Sequence, residues 1–518
     1  MIKHFQKRIG MTFWVSISLT FILIILALFI PNEFNQFTTN IRTILGYGFG
    51  WYYLTVTTLI VCLCVFIIFT PVGKIKLGDP TSKPEHSKLS WLAMLFSAGM
   101  GIGLVFYGAA EPLSHFAISA PEAKLYSEDA LKDAFQYSFF HYGIHAWSIY
   151  AIVALSLAYF QFRKKEKTLI SATLKPILKE KTDGFIGKFL DSMTIFATVI
   201  GVSTTLGYGA IQISGGLNYL FGISDSFFVQ LIIIVIATIL FLFSALSGIG
   251  KGVKLLSNLN VVIAIVIMLT LMLVGPRVQI LNTIVTSFGE YLQNFLHMSL
   301  RTAPGNPIEQ LWIQQWTILY WSWWISWSPF VGIFIARISK GRTIKEFLIY
   351  VLCIPSIFSF LWFSIFGVAS TEVYKINEKI SLLPIEKILF VTLEHYPLGN
   401  ILSVISIILV FSFFITSADS ATYVLAMQSE YGNLNPHKEV KIVWGILLST
   451  IATILLKIGG LNTLQNVLII IAFPFTFVLI LLVISFVIEL NYEKKQMGLY
   501  LKPKNYPTKD SPFRSYEE

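Results

Sequence analysis

The chain has 518 residues, of which 55% are apolar and only 13% are charged, and its mean hydropathy is +0.71. Soluble domains carry about 25% charged residues, so this composition excludes an ordinary soluble protein and indicates a membrane-embedded bundle. The net charge of +10 is compatible with nucleic-acid binding, but the distribution of the charges along the chain argues against it. The cysteines Cys62, Cys64 and Cys353 all lie in apolar runs and predict neither a disulfide framework nor a metal site.

Apolar stretches long enough to cross a bilayer recur from end to end of the chain. No small-residue cleavage site follows the first of them, so it is predicted to be a transmembrane helix rather than a removed signal peptide. We predict an all-α polytopic membrane protein with twelve transmembrane helices, at residues 11–30, 50–70, 89–117, 136–160, 187–217, 227–246, 255–275, 311–337, 346–369, 399–427, 441–458 and 465–489.

The positive charges predict how these spans are oriented. With the N-terminus in the cytoplasm, the inside segments hold 29 of the 38 lysines and arginines. This bias follows the positive-inside rule and predicts a plasma-membrane protein with both termini cytoplasmic. The densest run, residues 163–167, falls in a short inside loop, which argues against nucleic acid as a partner.

Two polar segments flank the predicted spans. The stretch 278–300 is amphipathic and is predicted to lie along the outer membrane surface. The tail from Asn491 carries six cations and either lies against anionic lipid headgroups or is a simple solvated tail.

The third span contains glycine at three alternate positions, Gly99, Gly101 and Gly103. Each glycine costs a helix about 1 kcal/mol relative to alanine. The glycines either permit close packing between helices or mark a locally unwound helix whose backbone faces a solute, as in many secondary transporters.

The eighth span is rich in tryptophan, with six of the twelve between residues 312 and 327. An interfacial aromatic belt explains the first two of them. It does not explain Trp323, Trp324 and Trp327, which lie about 18–24 Å along the span. Pro329 and Gly332 are predicted to weaken the helix just below these indoles.

The fourth span carries a second group of aromatic and imidazole side chains. Trp147 and Tyr150 are three residues apart and share a helix face, and Tyr142 lies nearby. His141 and His145 have the spacing of a metal-binding pair, but no third ligand is apparent in the sequence. Hydrogen bonds between helices are therefore the predicted role of the two histidines.

Several indoles and phenols at membrane depth, without a neighbouring carboxylate, are typical of a site for quaternary ammonium groups. Such a cation has no N–H donor and is bound by the faces of aromatic rings. Each ring contributes about 0.5–2 kcal/mol, so three or four rings contribute roughly 2–8 kcal/mol before desolvation and ordering costs.

The tenth span adds hydroxyl groups at Thr416 and Ser417. They either bond to their own helix or complete a sodium site together with backbone carbonyls of the third span. Asp419 and Glu111 are acids at membrane depth or at its edge, and each is a candidate ligand, gate or packing partner.

Over residues 10–490 the sequence resembles the betaine/carnitine/choline transporter family. The motifs that carry the resemblance are Gly-Met-Gly-Ile-Gly at 99–103, Ala110-Glu111-Pro112, the stretch from Trp321 to Gly332, Ala336-Arg337-Ile338-Ser339 with Gly341-Arg342, and Thr416-Ser417-Ala418-Asp419-Ser420.

The resemblance implies a LeuT-like fold with two inverted five-helix repeats, alternating access and a homotrimer. The repeats would span 89–275 and 311–489. They would be preceded by the tail and first two helices at 1–88, joined by an extracellular amphipathic connection at 276–310, and followed by a cytoplasmic tail at 490–518. Sodium would be the coupling ion, and no organic cofactor is implied.

The family's binding residues carry over by position. A central aromatic box would consist of Trp147, Tyr150, Trp324 and Tyr142, and Trp327, Trp323, Phe106, Gly101 and Gly103 would line the same path. One sodium site would use backbone oxygens at Ser97 and Met100, the carbonyl of Phe413, and the hydroxyls of Thr416 and Ser417. A second sodium site would lie near Thr204 and Thr205.

Three comparisons with the family bear on the substrate and on the coupling ion. Tyr142 stands where relatives often have tryptophan, whereas Gly103 matches betaine carriers and not the choline-preferring relatives that often have aspartate there. The fifth span also lacks the arginine that replaces sodium in carnitine exchangers. These points favour sodium-coupled import of glycine betaine, with choline, carnitine or proline betaine as alternatives within the family. An ion channel is the alternative of another class, and no catalytic group indicates an enzyme.

Overall fold

A computed structural model describes residues 10–99, 101–247 and 250–498, with their side chains except at 96–99, 247 and 250–255. Within these residues the regular secondary structure is helical, apart from one isolated bridge between Lys76 and Thr343. The expectations for Met100 and for the tail beyond residue 498 fall outside the described residues.

Long helices account for most of the chain. Within the described residues, ten helical segments are long and apolar enough to cross a membrane. In chain order the α-helices of six or more residues are α1 (Met11–Phe29), α2 (Pro31–Ile68), α3 (Lys88–Gly99), α4 (Ile102–Tyr107), α5 (Ala110–Ala117), α6 (Glu128–Tyr142), α7 (Ile144–Ala158), α8 (Phe185–Phe221), α9 (Phe227–Ser247), α10 (Gly250–Val274), α11 (Arg277–Gln293), α12 (Phe295–Leu300), α13 (Pro307–Gln315), α14 (Thr317–Ile338), α15 (Ile344–Ile376), α16 (Ile385–Glu394), α17 (Gly399–Ser429) and α18 (Lys438–Gln496).

The predicted number of spans and the ten long segments differ for two reasons. The predicted third span is divided into α3, α4 and α5, each too short to cross a membrane alone. The predicted last two spans form one 59-residue helix, α18, with non-helical backbone at Gly459 and Gly460. Both differences in number therefore arise from breaks or kinks in helices, and not from the loss of a predicted apolar segment.

The second helix begins much earlier than the sequence predicts, at Pro31 rather than near residue 50. Pro31 occupies the first turn, where its missing N–H costs nothing. The polar residues that follow it in the sequence are typical of a loop. They are instead paired with α18, because Arg42 donates to Asn466 (3.0 Å) and the Asn466 amide donates to Thr39 (3.0 Å).

The third and fourth predicted spans are both interrupted near the same place. Gly101 has an extended backbone (φ −159°, ψ 177°), so α4 starts anew after it, as the unwound interpretation of the glycines predicts. The fourth span breaks at Gly143, between α6 and α7, which the sequence did not predict. A Cβ atom at Gly143 would clash with the carbonyl oxygen of Phe139, so the break requires glycine.

The predicted weakening of the eighth span at Pro329 is wrong. Helix α14 continues through Pro329 to Ile338. Proline removes the amide that would bond to the carbonyl of Ile325, and the hydroxyl of Ser328 donates to that carbonyl instead (2.7 Å). The interruption lies earlier, at Trp316, which separates α13 from α14.

Helix α14 lies in the interior of the bundle. It packs against α7, α8 and α18, and nearly all of its residues are buried. The tryptophan-rich segment is therefore surrounded by protein and faces the broken helices.

The predicted amphipathic stretch 278–300 forms α11 and α12, and α11 buries Ile280, Ser287 and Tyr291.

Candidate functional site

A cavity of about 530 Å³ lies between the break before α4, helix α7 and helix α14. Eight of the nine residues predicted to bind the substrate line it: Gly101, Gly103, Tyr142, Trp147, Tyr150, Trp323, Trp324 and Trp327.

Four of these side chains form the walls of the cavity, and we call Tyr142, Trp147, Tyr150 and Trp324 the aromatic cage. The ring centroids of Trp147 and Tyr150 are 5.4 Å apart, and those of Tyr142 and Trp324 are 5.2 Å apart. Tyr150 and Trp324 are 6.0 Å apart. Each pair is close to perpendicular, at 69–74°, so the rings form adjoining walls rather than a stack.

The polar groups of several rings are occupied by the protein itself. The indole N–H of Trp324 donates to the carbonyl of His141 (2.9 Å), and that of Trp323 donates to the hydroxyl of Thr205 (2.9 Å). The hydroxyl of Tyr142 donates to the carbonyl of Gly103 (3.2 Å). These bonds fix the ring orientations.

None of the described residues that line the cavity carries a charge. A primary ammonium would lack a carboxylate partner there, and burial of an unpaired charge is costly. A fully methylated cation needs no hydrogen-bond acceptor and gains its attraction from the quadrupoles of the rings. The cavity therefore has the chemistry of a quaternary-ammonium site.

Phe106 does not line this cavity, although the resemblance places it on the path. Its ring stacks on Tyr208 (5.2 Å, 20°), and Tyr208 contacts Trp323 edge-on (4.8 Å). Tyr208 therefore lies between Phe106 and Trp323, which is one of the residues that line the cavity.

A second cavity, of about 570 Å³, adjoins the first, because Trp327 lines both. Three residues predicted for a sodium site line it: Phe413, Thr416 and Ser417. The hydroxyl of Thr416 donates to its own helix, at the carbonyl of Ser412 (3.1 Å) or Phe413 (3.3 Å). Ser97 lies in α3, but neither its side chain nor Met100 is among the described parts of the chain.

The two residues predicted for a second sodium site face different neighbours. The hydroxyl of Thr205 lies beside the cage, where it accepts from Trp323 and donates to the carbonyl of Gly201 (3.1 Å). The hydroxyl of Thr204 is directed to the carbonyl of Leu464 on α18, at 3.5 Å. The two hydroxyls are not brought together.

Asn260 on α10 was not among the site residues predicted from the sequence. It is 1% exposed and lines the second cavity, and its amide donates to Thr416 (3.4 Å). Its carbonyl oxygen has no hydrogen-bond partner among the described residues. The available signal was a polar amide within an apolar span, because polar groups at that depth are costly.

The histidines form hydrogen bonds between helices, as predicted. His141 bonds through Nε2 with the hydroxyl of Thr317 (3.0 Å), and His145 bonds through Nε2 with Ser299 (2.8 Å). The two imidazoles do not form a pair. His141 instead meets Glu111 and His115, whose ligand atoms lie within 4.8 Å of its own.

Asp419 is a packing partner between helices. Its carboxylate accepts a hydrogen bond from Ser244 on α9, and it does not line the cavity that contains Thr416 and Ser417.

Comparisons with known proteins agree with this chemistry. The family profile described as betaine/carnitine/choline family transporter matches residues 11–495. The glycine betaine transporter OpuD of Bacillus subtilis is 54% identical, over 95% of this chain and 96% of that protein. The ectoine/hydroxyectoine transporter of Virgibacillus pantothenticus is 42% identical, over 93% of this chain and 97% of that protein.

Among solved structures, the manganese transporter of Eremococcus coleocola, in complex with an aromatic bis-isothiourea compound, superposes with a TM-score of 0.44. It is 13% identical and covers 82% of this chain and 91% of that chain. This likeness is too low to support an argument about the fold or the site.

Proposed function

Because the chain belongs to the betaine/carnitine/choline family of transporters, we propose that it imports glycine betaine together with sodium. It is a multi-pass membrane transporter and not an enzyme. The observation that carries the proposed substrate is the aromatic cage, whose cavity has no charged residue among its described lining.

The cage suits the trimethylammonium end of glycine betaine. The trimethylammonium group contacts the ring faces, and four rings contribute roughly 2–8 kcal/mol of gross attraction. A relative that is 54% identical is named a glycine betaine transporter, which supports the same substrate here. Choline, carnitine and proline betaine are the alternatives within the family, and the ectoine transporter among the relatives adds ectoine as a competitor to test.

The proposed sodium site lies in the second cavity. The hydroxyls of Thr416 and Ser417 and the free carbonyl oxygen of Asn260 supply neutral oxygen atoms there. Neutral hydroxyl and carbonyl oxygens are the groups with which transporters of this kind coordinate sodium. Two sodium ions per betaine would supply about 7 kcal/mol at 100 mV and a tenfold gradient, which limits accumulation near 10⁵-fold.

We propose twelve membrane crossings. Helices α3 to α5 would together make one broken crossing, and α18 would make two crossings joined at Gly459 and Gly460. The inverted repeats, alternating access, the homotrimer and the cytoplasmic position of both termini at the plasma membrane belong to the same proposal.

A carrier accounts for the site better than an ion channel does. A channel would place rings of equivalent residues from symmetric subunits around a pore. The cage instead combines side chains from α6, α7 and α14 of one chain around a single cavity.

Uptake of labelled glycine betaine into proteoliposomes tests this function. We expect saturable uptake that requires an inward sodium gradient and is competed by unlabelled betaine more strongly than by choline, carnitine, proline or ectoine. Uptake that does not saturate would contradict the carrier, and uptake indifferent to sodium would contradict the coupling.

The double substitution Thr416→Ala with Ser417→Ala tests the sodium site. We expect the sodium concentration for half-maximal uptake to rise about tenfold or more, because two neutral oxygen ligands are removed. Thr422→Ala is the matched control, since its hydroxyl donates to Ala418 in the same helix and does not line the cavity. An unchanged sodium requirement in the double variant would exclude this site.

A further inference from the structure

A buried carboxylate lies directly behind the aromatic cage. Glu111 on α5 is fully buried, as are His115 on the same helix and His141 on α6. Its Oε1 lies 2.7 Å from Nδ1 of His141 and 3.3 Å from Nε2 of His115, and its Oε2 accepts a hydrogen bond from the hydroxyl of Tyr320 on α14. One carboxylate thus joins three helices.

Two of these partners are in direct contact with the cage. The carbonyl of His141 accepts the indole N–H of Trp324 (2.9 Å). The ring of Tyr320 stacks on Trp324 (5.7 Å, 17°) and meets Tyr142 edge-on (5.1 Å). Glu111 itself does not line the cavity, so any influence on the substrate passes through these neighbours.

We propose that Glu111 is a positioning residue for substrate binding: it fixes His141 and Tyr320, and through them the orientation of Trp324 in the aromatic cage. This inference rests on the proposed binding of glycine betaine in that cage. Residue 111 would therefore set substrate affinity without touching the substrate.

The energetic reason lies in the orientation of the Trp324 indole relative to the bound cation. Cation–π attraction depends on the cation lying over the ring face, so a rotated indole loses much of it. Hydrogen bonds to a carboxylate are about twice as strong as neutral ones, and here they hold groups that water does not reach. Without the carboxylate, Tyr320 and His141 would each keep a buried polar group with no partner.

A metal ion is the alternative interpretation of the same cluster. The ligand atoms of Glu111, His115 and His141 all lie within 4.8 Å of one another. However, both oxygens of Glu111 are engaged, and the second nitrogen of His141 is occupied by Thr317. Within the described residues only Nδ1 of His115 lacks a partner in this cluster, so hydrogen bonding accounts for nearly all of it.

Betaine binding and uptake by Glu111→Gln and Tyr320→Phe test the proposal. Binding is measured on purified protein by the change in tryptophan fluorescence, and uptake is measured in proteoliposomes. For each variant we expect about a tenfold rise in the Kd and KM for betaine, with the maximal rate within twofold of wild type and the sodium requirement unchanged. The double variant should bind betaine no more weakly than the more impaired of the two single variants, because both changes disrupt the same interaction between Tyr320 and Glu111.

Tyr159→Phe is the matched control, since Tyr159 is also fully buried and its hydroxyl donates to the carboxylate of Glu493 on α18, away from the cage. We expect wild-type affinity from it. Absence of betaine binding by the wild type would refute the proposed function. Wild-type affinity in both Glu111→Gln and Tyr320→Phe would refute only the positioning role.

Two further results would also overturn the positioning role. Additive losses in the double variant would mean that the two groups act separately. Inhibition of wild-type uptake by micromolar zinc that disappears in His115→Gln would assign the cluster to a metal. If Glu111→Gln does not fold, Tyr320→Phe alone decides, because it removes one hydroxyl and keeps the ring.

Discussion

Replacing Trp324 with alanine is expected to abolish saturable betaine uptake and to weaken betaine binding at least a hundredfold. Trp324 adjoins both Tyr142 and Tyr150, so its loss opens two corners of the cage at once. The direct loss of one ring is about 0.5–2 kcal/mol. The remainder arises because Trp323, stacked on Trp324 at 5.3 Å, loses the partner that holds it.

Two companion substitutions separate these contributions. Trp324→Phe keeps an aromatic face but loses the hydrogen bond to His141, and we expect an intermediate loss of about tenfold. Trp51→Ala is the control, since Trp51 is 58% exposed and its indole donates to the carbonyl of Gly48 on its own helix. Betaine uptake by Trp324→Ala within twofold of wild type would contradict the cage as the binding site.

The sequence predicted which residues form the cage, but not the backbone that brings them together. Tyr142 and Trp147 are five residues apart, so on a continuous helix their side chains would point about 140° away from each other. The break at Gly143 removes that conflict and lets both line one cavity. Gly143 was not recognised, because a single glycine in an apolar span is also compatible with an unbroken helix.

At Pro329 the sequence predicted a weakened helix, whereas the structure has a continuous one. Proline alone argues for a kink, because it removes one backbone donor. The hydroxyl of Ser328 replaces that donor at the carbonyl of Ile325, and α14 remains continuous. Such compensation depends on the rotamer of one neighbouring side chain, which the sequence does not reveal.

The second sodium site near Thr204 and Thr205 stays a prediction. Adjacent residues on a helix point about 100° apart, so Thr204 and Thr205 do not share a face. The structure separates them accordingly, with Thr205 beside the cage and Thr204 against α18. Asn260 was not predicted, although the sequence contains a signal for it, because a polar amide within an apolar span is itself notable.

Long-range polar partners were the least predictable part of the site. Glu111 was recognisable as an acid at membrane depth, but its bonds to His141 and Tyr320 join positions that are 30 and 209 residues apart. No local pattern specifies such pairs, because they depend on how three helices pack together.

Gly103→Ala is expected to lower the rate of betaine uptake at least tenfold. A Cβ atom at this position would lie 2.7 Å from the nearest carbon of the Trp323 ring. Trp323 has little room to move, because it is 2% exposed, bonds to Thr205 and contacts Tyr208 at 4.8 Å. Overpacking of this kind typically costs about 1–3 kcal/mol, here at the wall of the binding cavity.

The same position tests the choice of substrate. Gly103→Asp adds a carboxylate beside the cage, which repels the carboxylate of betaine and attracts the full positive charge of choline. We therefore expect the ratio of choline to betaine uptake to rise, with both rates below wild type because Trp323 must also shift. Gly48→Ala is the control, since a Cβ there meets no atom within 4 Å. Wild-type betaine uptake by Gly103→Ala would contradict the overpacking, because the Trp323 ring would then move aside without cost. An unchanged ratio of choline to betaine uptake in Gly103→Asp would exclude Gly103 as a determinant of specificity.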